Sequence, residues 1–261
     1  MVKVKDIAAA IEEFAPKSLQ ESYDNAGLQV GDPEAVVSAV LLCLDVTEDI
    51  IAEAQRRECN LIVSHHPLIF RGLKSLTGED STQRLVIEAL KNNIAVYSAH
   101  TNLDSVWDGV SHEIARKLSI RDIEVLEPQP LNPKAGLGVV GNIKPVPKIE
   151  FLRKIKETFN VAALRYSAQS AGLVVRRVAV CGGSGASLIK AAIKQEADIL
   201  VTGDVKYHDF TSFGSEILIA DIGHFESELC AREILSRVIR DKFPDLTIYF
   251  SDSESNPIKI L

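Results

Sequence analysis

The stretch VLLCLDVTEDIIAEAQRRECNLIVSHHP, residues 40–67, contains the pattern that decides the fold. It contains two short apolar runs of the kind that form buried strands. Between these runs, Ile50, Ile51 and Ala54 recur at helical spacing, and Thr47 offers a helix start ahead of them. The stretch therefore predicts a strand, a helix and a second strand, which is the repeating unit of an α/β fold.

A second copy of this unit lies further along the chain. Residues 40–66 align without a gap with residues 178–204, and six of the 27 pairs are identical. The hydrophobic pattern agrees almost throughout. After a change of offset, Ile94–His100 also matches Leu218–His224. We therefore predict an α/β fold with two pseudo-symmetric domains from an internal duplication, and a site in the cleft between their strand ends.

A proline-rich joint, EPQPLNP at residues 127–133, follows the first copy, and we place the domain boundary near residue 125. The last long helical pattern leads to Leu246–Phe250, a predicted strand that can return to the first domain. The predicted domains are residues 1–125 together with 230–261, and residues 126–229.

Composition excludes several classes of protein. The chain has 261 residues, 46% of them hydrophobic, which is enough for one large core or two ordinary domains. A net charge of −7 argues against a nucleic-acid partner, because such partners require clustered Lys and Arg. We find no apolar run near the roughly 20 residues of a membrane-spanning helix, and no signal-peptide pattern. The four cysteines show no close pairing, so we predict buried thiols in a reducing cytoplasm.

Histidines and carboxylates follow the predicted strands. Two pairs share one pattern, an imidazole four residues ahead of a carboxylate, which a helix brings to one face. These pairs and the adjacent histidines of the first copy are His100 and Asp104, His224 and Glu228, and His65 and His66. Nitrogen and oxygen donors without thiolates suit zinc, manganese or iron. We therefore predict a hydrolytic centre with two divalent metal ions per chain and Glu228 as the bridging carboxylate.

Each of these residues has a structural alternative. An isolated His65-His66 dipeptide is more typical of two exposed loop histidines. Asp104 alone would be a helix cap more often than a ligand, and Glu228 alone would be a first-turn acid that the helix dipole favours. The duplication of the spaced pair favours the metal site over these alternatives.

Other residues are candidates for catalysis. By the internal symmetry, His100 should face the cleft, where it would orient a ligand or transfer a proton. Asp204 is the counterpart of His66, and His208 follows Asp204 by four residues. Asp204 and His208 would orient a ligand or accept a proton, with a surface loop as the equal alternative. His112 lies off the apolar stripe of its helix, so we expect it to be solvated.

A glycine turn, Cys181-Gly-Gly-Ser-Gly185, follows a predicted strand. Glycines at a helix start let backbone N–H groups approach a phosphate. The turn lacks the lysine of a P-loop and the third glycine of a dinucleotide-binding fingerprint. A tight connection from strand to helix explains the turn equally well.

Five segments, in this order, resemble the GTP cyclohydrolase 1 type 2 homologues, the NIF-three-like dinuclear-metal proteins. They are Tyr23–Gly31, Ser64–Pro67, His100–Asp104, Thr202–Asp204 and Gly223–Glu228. The likeness spans nearly the whole chain. It implies a homohexameric ring built from dimers, with the metal sites facing an internal cavity. The metal ligands that it implies are His65, His66, Asp104, His224 and Glu228.

The resemblance also implies an activity, the opening of the guanine imidazole ring of GTP with loss of formate. Metal-activated water could perform this step. We therefore expect a metal-dependent hydrolase whose partner is a small molecule, with a nucleotide as the candidate. One alternative is a non-enzymatic metal-binding or metal-delivery protein that uses the same ligands, and another is a regulatory scaffold in which the ring is the function. Turnover of a nucleotide would distinguish the enzyme from a carrier, which exchanges metal without turnover.

Overall fold

The structure, a computed structural model, describes residues 1–168 and 174–261. The described α-helices are α1 (Val4–Phe14), α2 (Glu48–Arg56), α3 (Ser81–Lys91), α4 (Thr101–Ser105), α5 (Val110–Lys117), α6 (Lys148–Thr158), α7 (Ile189–Lys194), α8 (Tyr207–Phe213), α9 (His224–Glu228) and α10 (Ala231–Lys242). The described strands are β1 (Gly27–Val30), β2 (Val40–Cys43), β3 (Leu61–Ser64), β4 (Ala95–Ser98), β5 (Arg121–Gln129), β6 (Asn132–Pro147), β7 (Arg165–Tyr166), β8 (Val174–Val180), β9 (Ile199–Thr202), β10 (Leu218–Asp221) and β11 (Ile248–Phe250).

The chain divides into two compact units. The first unit contains residues 1–103 and 231–255, and the second contains residues 104–230 and 256–261. The division falls inside α4, earlier than the boundary that we predicted near residue 125. It does so because β5 pairs with β6 in a long antiparallel hairpin, on which α5 also packs. The last six residues join the second unit, where the Asn256 side chain donates to the Glu226 carboxylate over 2.8 Å.

A five-stranded sheet forms the centre of the first unit, in the order β1-β4-β3-β2-β11. Strands β11, β2, β3 and β4 run parallel, and β1 closes the sheet as an antiparallel edge. The predicted return of Leu246–Phe250 is confirmed, because β11 pairs with β2 from Ile248 to Phe250. Strands β2, β3 and β4 are wholly buried, as expected for short apolar runs in a parallel sheet.

A six-stranded sheet forms the centre of the second unit, in the order β5-β6-β8-β9-β10-β7. Its middle strands β8, β9 and β10 run parallel, and the other three strands are antiparallel to their neighbours. Apolar side chains of α7 and the connecting segments cover the face that Leu200 and Ile219 present. The sheet therefore has a buried core of its own.

The predicted duplication is confirmed in the topology. Strands β2, β3 and β4 occur in one sheet in the same order and direction as β8, β9 and β10 in the other. Thr47 caps α2 by accepting a hydrogen bond from the Ile50 N–H, as its position predicts. Since the carboxyl ends of parallel strands meet at one edge, the residues that follow each set of three lie together within their own unit.

Burial also agrees with the composition. All four cysteines are buried and free, as predicted for thiols without a disulfide partner. Among the residues described, none of the helices combines the length and the apolar character that a bilayer crossing demands.

Candidate metal centre

Three imidazoles meet at the carboxyl edge of the first sheet, and we call His65, His66 and His100 the imidazole cluster. The ring centroids of His65 and His66 lie 5.0 Å apart, and those of His65 and His100 lie 5.4 Å apart. The His66 and His100 centroids lie 5.5 Å apart. Consecutive side chains on a regular strand point to opposite faces. The rings of His65 and His66 can lie close together because β3 ends at Ser64, so neither residue belongs to the regular strand.

His65 is held in one tautomer. It is fully buried, and its Nδ1 lies 2.8 Å from the carbonyl oxygen of Ala99. A carbonyl oxygen only accepts, so Nδ1 must donate its hydrogen and Nε2 carries the lone pair. This is the orientation in which metal-binding histidines are usually fixed.

His66 is held by a carboxylate. Its Nδ1 lies 2.9 Å from Asp45 Oδ1, and Asp45 stands two residues after the end of β2. The backbone N–H of His66 donates to the carbonyl of Leu44 over 2.8 Å, which continues the β2–β3 pairing beyond the strands. Asp45 therefore orients the His66 ring from the neighbouring strand, a role that the sequence did not single out.

His100 is held by a second carboxylate, Asp24. The His100 Nδ1 lies 2.8 Å from Asp24 Oδ1, and the Thr101 N–H donates to Asp24 Oδ2 over 3.0 Å. Burial by itself would raise the pKa of Asp24, but the hydrogen bonds from His100 and Thr101 hold it well below its ordinary value. Asp24 is therefore an ionised partner of His100. It lies in Tyr23–Gly31, one of the five segments that carry the family resemblance.

The second unit carries a mixed cluster of imidazole and carboxylates, and we call His224, Glu228 and Asp204 the carboxylate cluster. In α9, His224 Nε2 lies 2.9 Å from Glu228 Oε2, so the spacing of four residues places both on one face as predicted. His224 Nδ1 lies 2.8 Å from Asp204 Oδ2. Glu228 is only 3% exposed, whereas Asp204 is exposed. Asp204 thus orients His224 as Asp45 orients His66.

Asp104 lies near the end of α4 and is half-buried. Its charge and that of Glu228 both act on the buried thiol of Cys181, after β8. Burial, and then the carboxylates of Asp104 and Glu228, raise the pKa of Cys181 well above its ordinary value. The second unit therefore carries acidic oxygen donors beside a buried thiol whose pKa is raised.

The glycine turn after β8 packs against Glu228. Gly183 has a φ of +61°, and a Cβ at this position would lie 2.1 Å from Glu228 Oε1. The Gly183 N–H donates to Ser227 Oγ over 2.9 Å, and the Gly185 N–H donates to Thr202 Oγ1 over the same distance. Two of the N–H groups that a phosphate would need are thus used within the protein. The turn serves as a close connection that leaves room for Glu228.

His208 lies apart from these contacts. It is exposed on α8, where its ring centroid lies 5.4 Å from that of Tyr207 and its carbonyl accepts from Thr211 Oγ1 over 3.0 Å. The structure thus joins Asp204 to His224 rather than to His208. Catalytic roles for His100, Asp204 and His208 remain predictions.

The expectation that His112 is solvated is wrong. His112 is only 6% exposed, and its ring centroid lies 4.3 Å from that of Trp107. Burial, the largest cause, and the charge of Arg116 lower the pKa of His112 to about 4, against an opposing effect of Asp108. The helical pattern failed here because the Trp107 ring covers a position that lies outside the apolar stripe of α5.

A pH dependence of stability follows from the buried imidazole of His112. Between its unfolded pKa of 6.5 and its folded pKa of about 4, the unfolded chain binds more protons. The contribution of His112 is therefore complete above pH 6.5 and is lost as the pH falls towards 4. Between pH 7 and pH 5, it should remove about 2 kcal/mol from the free energy of unfolding.

Urea denaturation at both pH values tests this expectation. In the variant His112→Phe, the decrease between pH 7 and pH 5 should shrink by that amount. His208→Phe is the matched control, because its imidazole is exposed, and it should leave the decrease as in the wild type. An unchanged decrease in His112→Phe would contradict the assignment.

Comparison with known proteins agrees with this architecture. The sequence model of the Duf34/NIF3 (NGG1p interacting factor 3) family matches residues 2–257. A relative from Clostridium perfringens, named GTP cyclohydrolase 1 type 2 homolog, is 36% identical over 100% of both chains. A relative of the same name from Lactococcus lactis is 37% identical over 98% of both chains. The crystal structure of Staphylococcus aureus protein SA1388 matches with a TM-score of 0.89 and 25% identity, covering 100% of this chain and 99% of that one.

Proposed function

Because this chain belongs to the Duf34/NIF3 family, we propose that it is a metal-dependent hydrolase with two divalent ions held by His65, His66, Asp104, His224 and Glu228. The carbonyl of Ala99 and three carboxylates hold the imidazoles of both clusters through Nδ1, and this observation carries the proposal. Such partners fix the ring orientation of metal-binding histidines. The Nε2 of His224 then faces the second donor of its own helix, Glu228, over 2.9 Å.

The donor set fits divalent ions. Each unit supplies donors that could hold a metal ion, His65 and His66 in the first and Glu228 in the second. Nitrogen and oxygen donors of this kind suit zinc, manganese or iron. We therefore propose two ions per chain.

The chemistry divides between the ions and the chain. Divalent ions held by these residues would supply Lewis acidity, which makes a water molecule more acidic. His100 Nε2 accepts the proton of the water whose oxygen bonds to the attacked carbon, while its Nδ1 keeps donating to Asp24. His100 then returns that proton to the ring nitrogen that leaves when its bond to the same carbon breaks. The ionised carboxylate of Asp24 stabilises the imidazolium that forms. Asp204 holds the His224 ring in place during this transfer.

The substrate that we propose is a guanine nucleotide, opened at its imidazole ring with release of formate. The name shared by the Clostridium perfringens and Lactococcus lactis relatives, GTP cyclohydrolase 1 type 2 homolog, supports this choice. We also propose that the chain assembles as a homohexamer, which light scattering after size exclusion would measure.

Turnover by the metal-loaded protein tests the hydrolase. The protein is loaded separately with zinc, manganese and iron(II), then incubated with GTP, ATP, CTP and UTP while formate and phosphate are measured. We expect formate from GTP, and a loss of at least about 100-fold in His66→Ala, because a ligand is removed. His208→Ala, an exposed imidazole on α8, is the control for a general effect of losing a histidine.

Two outcomes would contradict the proposal in different ways. Wild-type protein that binds no ion would exclude the metal centre itself. Protein that binds and exchanges ions but releases neither formate nor phosphate would exclude the hydrolase and favour metal delivery.

A further inference from the structure

Two exposed aromatic side chains lie beside the imidazole cluster, and we call Tyr23 and Phe70 the aromatic shelf. Their ring centroids lie 6.3 Å apart at an interplanar angle of 58°. The Phe70 centroid lies 6.2 Å from that of His100, edge to face at 76°. Tyr23 is 61% exposed and Phe70 is 44% exposed. The shelf therefore extends the cluster outward as an aromatic surface.

Hydrogen bonds fix the two loops that carry the shelf. Asp24, next to Tyr23, accepts from the His100 ring, so the first loop is tied directly to the imidazole cluster. Asn25 donates through its side chain to the Ile69 carbonyl, and the Ile69 N–H donates to Gln29 Oε1 over 2.7 Å. Both aromatic residues thus have an immediate neighbour that is anchored. The rings are presented on a rigid base rather than on free loops.

Leaving two adjacent aromatic rings exposed has an energetic cost. Burying apolar surface stabilises a fold by about 25 cal/mol per Å², so a rigid loop that leaves two rings outside forgoes that stabilisation. Exposed aromatic faces next to polar reactive groups are typical of ligand sites, where they stack on planar rings. The edge-to-face packing of Phe70 on His100 keeps part of the Phe70 ring turned outward.

We propose that the aromatic shelf stacks on a planar, unsaturated ring of the substrate and presents it to the imidazole cluster. This inference rests on the proposed function, because it assigns the substrate class of the same site. Tyr23 and Phe70 act as specificity-determining residues: they select flat rings over saturated rings of similar size and equal charge. The segment Tyr23–Gly31, in which the resemblance implied no metal ligand, thereby gains a binding role.

A pair of matched small acids tests the shelf directly. Benzoate and cyclohexanecarboxylate carry the same charge on rings of similar size, but only benzoate is planar. Their dissociation constants are measured by ligand-observed NMR titration with metal-free and zinc-loaded protein. We expect wild-type protein to bind benzoate about fivefold more tightly, because aromatic pairs contribute beyond their buried area.

Variants test which residues produce the preference for benzoate over cyclohexanecarboxylate. Phe70→Leu and Tyr23→Leu should each reduce it to less than about twofold, since leucine keeps the apolar surface but cannot stack. Phe250→Leu is the matched control. It replaces an exposed phenylalanine with leucine on β11, an edge strand of the five-stranded sheet and not part of the shelf. It should retain the full preference. Thermal unfolding of all three variants establishes that each is folded.

Three results would overturn the proposal: equal affinity for both acids in the wild type, no binding of benzoate, or an undiminished preference in both shelf variants. The comparison in the wild type needs no variant, so it decides even where a variant fails to fold. Metal content separates this proposal from the hydrolase. Protein that binds zinc without a ring preference defeats the shelf alone, whereas a ring preference in protein that binds no metal defeats the metal centre alone.

Discussion

Replacing Glu228 with glutamine is expected to remove most of the bound metal while the protein stays folded. Glu228 is buried in α9, where its carboxylate faces His224 over 2.9 Å. Glutamine keeps the size of the side chain but loses the charge that would attract the two proposed cations. We expect metal affinity to fall by at least about 100-fold, more than the loss of an outer partner produces. Elemental analysis of the dialysed protein measures the ions per chain.

Glu226→Gln is the matched control for this change. It lies on the same helix and makes the same chemical substitution, but its Oε1 accepts from Asn256 and belongs to the attachment of the chain end. Metal content should remain at the wild-type level. Equal metal in Glu228→Gln and wild type would show that Glu228 is not the bridging carboxylate.

Replacing Gly183 with alanine is expected to displace the Glu228 carboxylate and so to weaken metal binding. The new Cβ would lie 2.1 Å from Glu228 Oε1, far inside ordinary contact, so the carboxylate must move. The φ of +61° adds about 1–2 kcal/mol of backbone strain for any residue with a Cβ. We therefore expect a lower free energy of unfolding and a loss of at least about tenfold in metal affinity.

Gly78→Ala separates these two effects. Gly78 also has a positive φ, +83°, but a Cβ there would meet only the side chains of Arg84 and Ile87, at ordinary distances of 3.7 and 3.9 Å. This variant should lose stability by a similar amount and keep its metal. If Gly183→Ala also keeps its metal, the turn does not determine the position of Glu228.

Much of the fold could be predicted because burial leaves a local signature. Strands β2, β3 and β9 are short apolar runs with parallel neighbours on both sides, so their sequences alone identify them. The duplication then fixed which strand ends correspond. The boundary that we predicted near residue 125 differs from the observed division after residue 103, because a proline-rich stretch resembles a linker. In the structure, residues 127–133 instead span the turn of the β5–β6 hairpin.

The donors of the candidate site were visible in the sequence, but their partners were not. His65, His66 and Glu228 stand in repeated or adjacent patterns. Asp24 and Asp45 reach their imidazoles across the sheet, and no spacing along the chain reports such a contact. The aromatic shelf could not be predicted for the same reason, since Tyr23 and Phe70 lie on two loops that are distant in sequence.

The position of β11 bears on how the chain folds as it leaves the ribosome. Strands β5 to β10 of the second sheet are continuous in the chain, so that sheet can close as soon as its own segment has emerged. The first sheet has to wait for residues 248–250 to pair with β2, which was made some 200 residues earlier. Until then, β2 has an open hydrogen-bonding edge beside the loop that carries Asp45. A nascent chain thus acquires the full framework around His66 only after residues 248–250 have emerged and paired with β2.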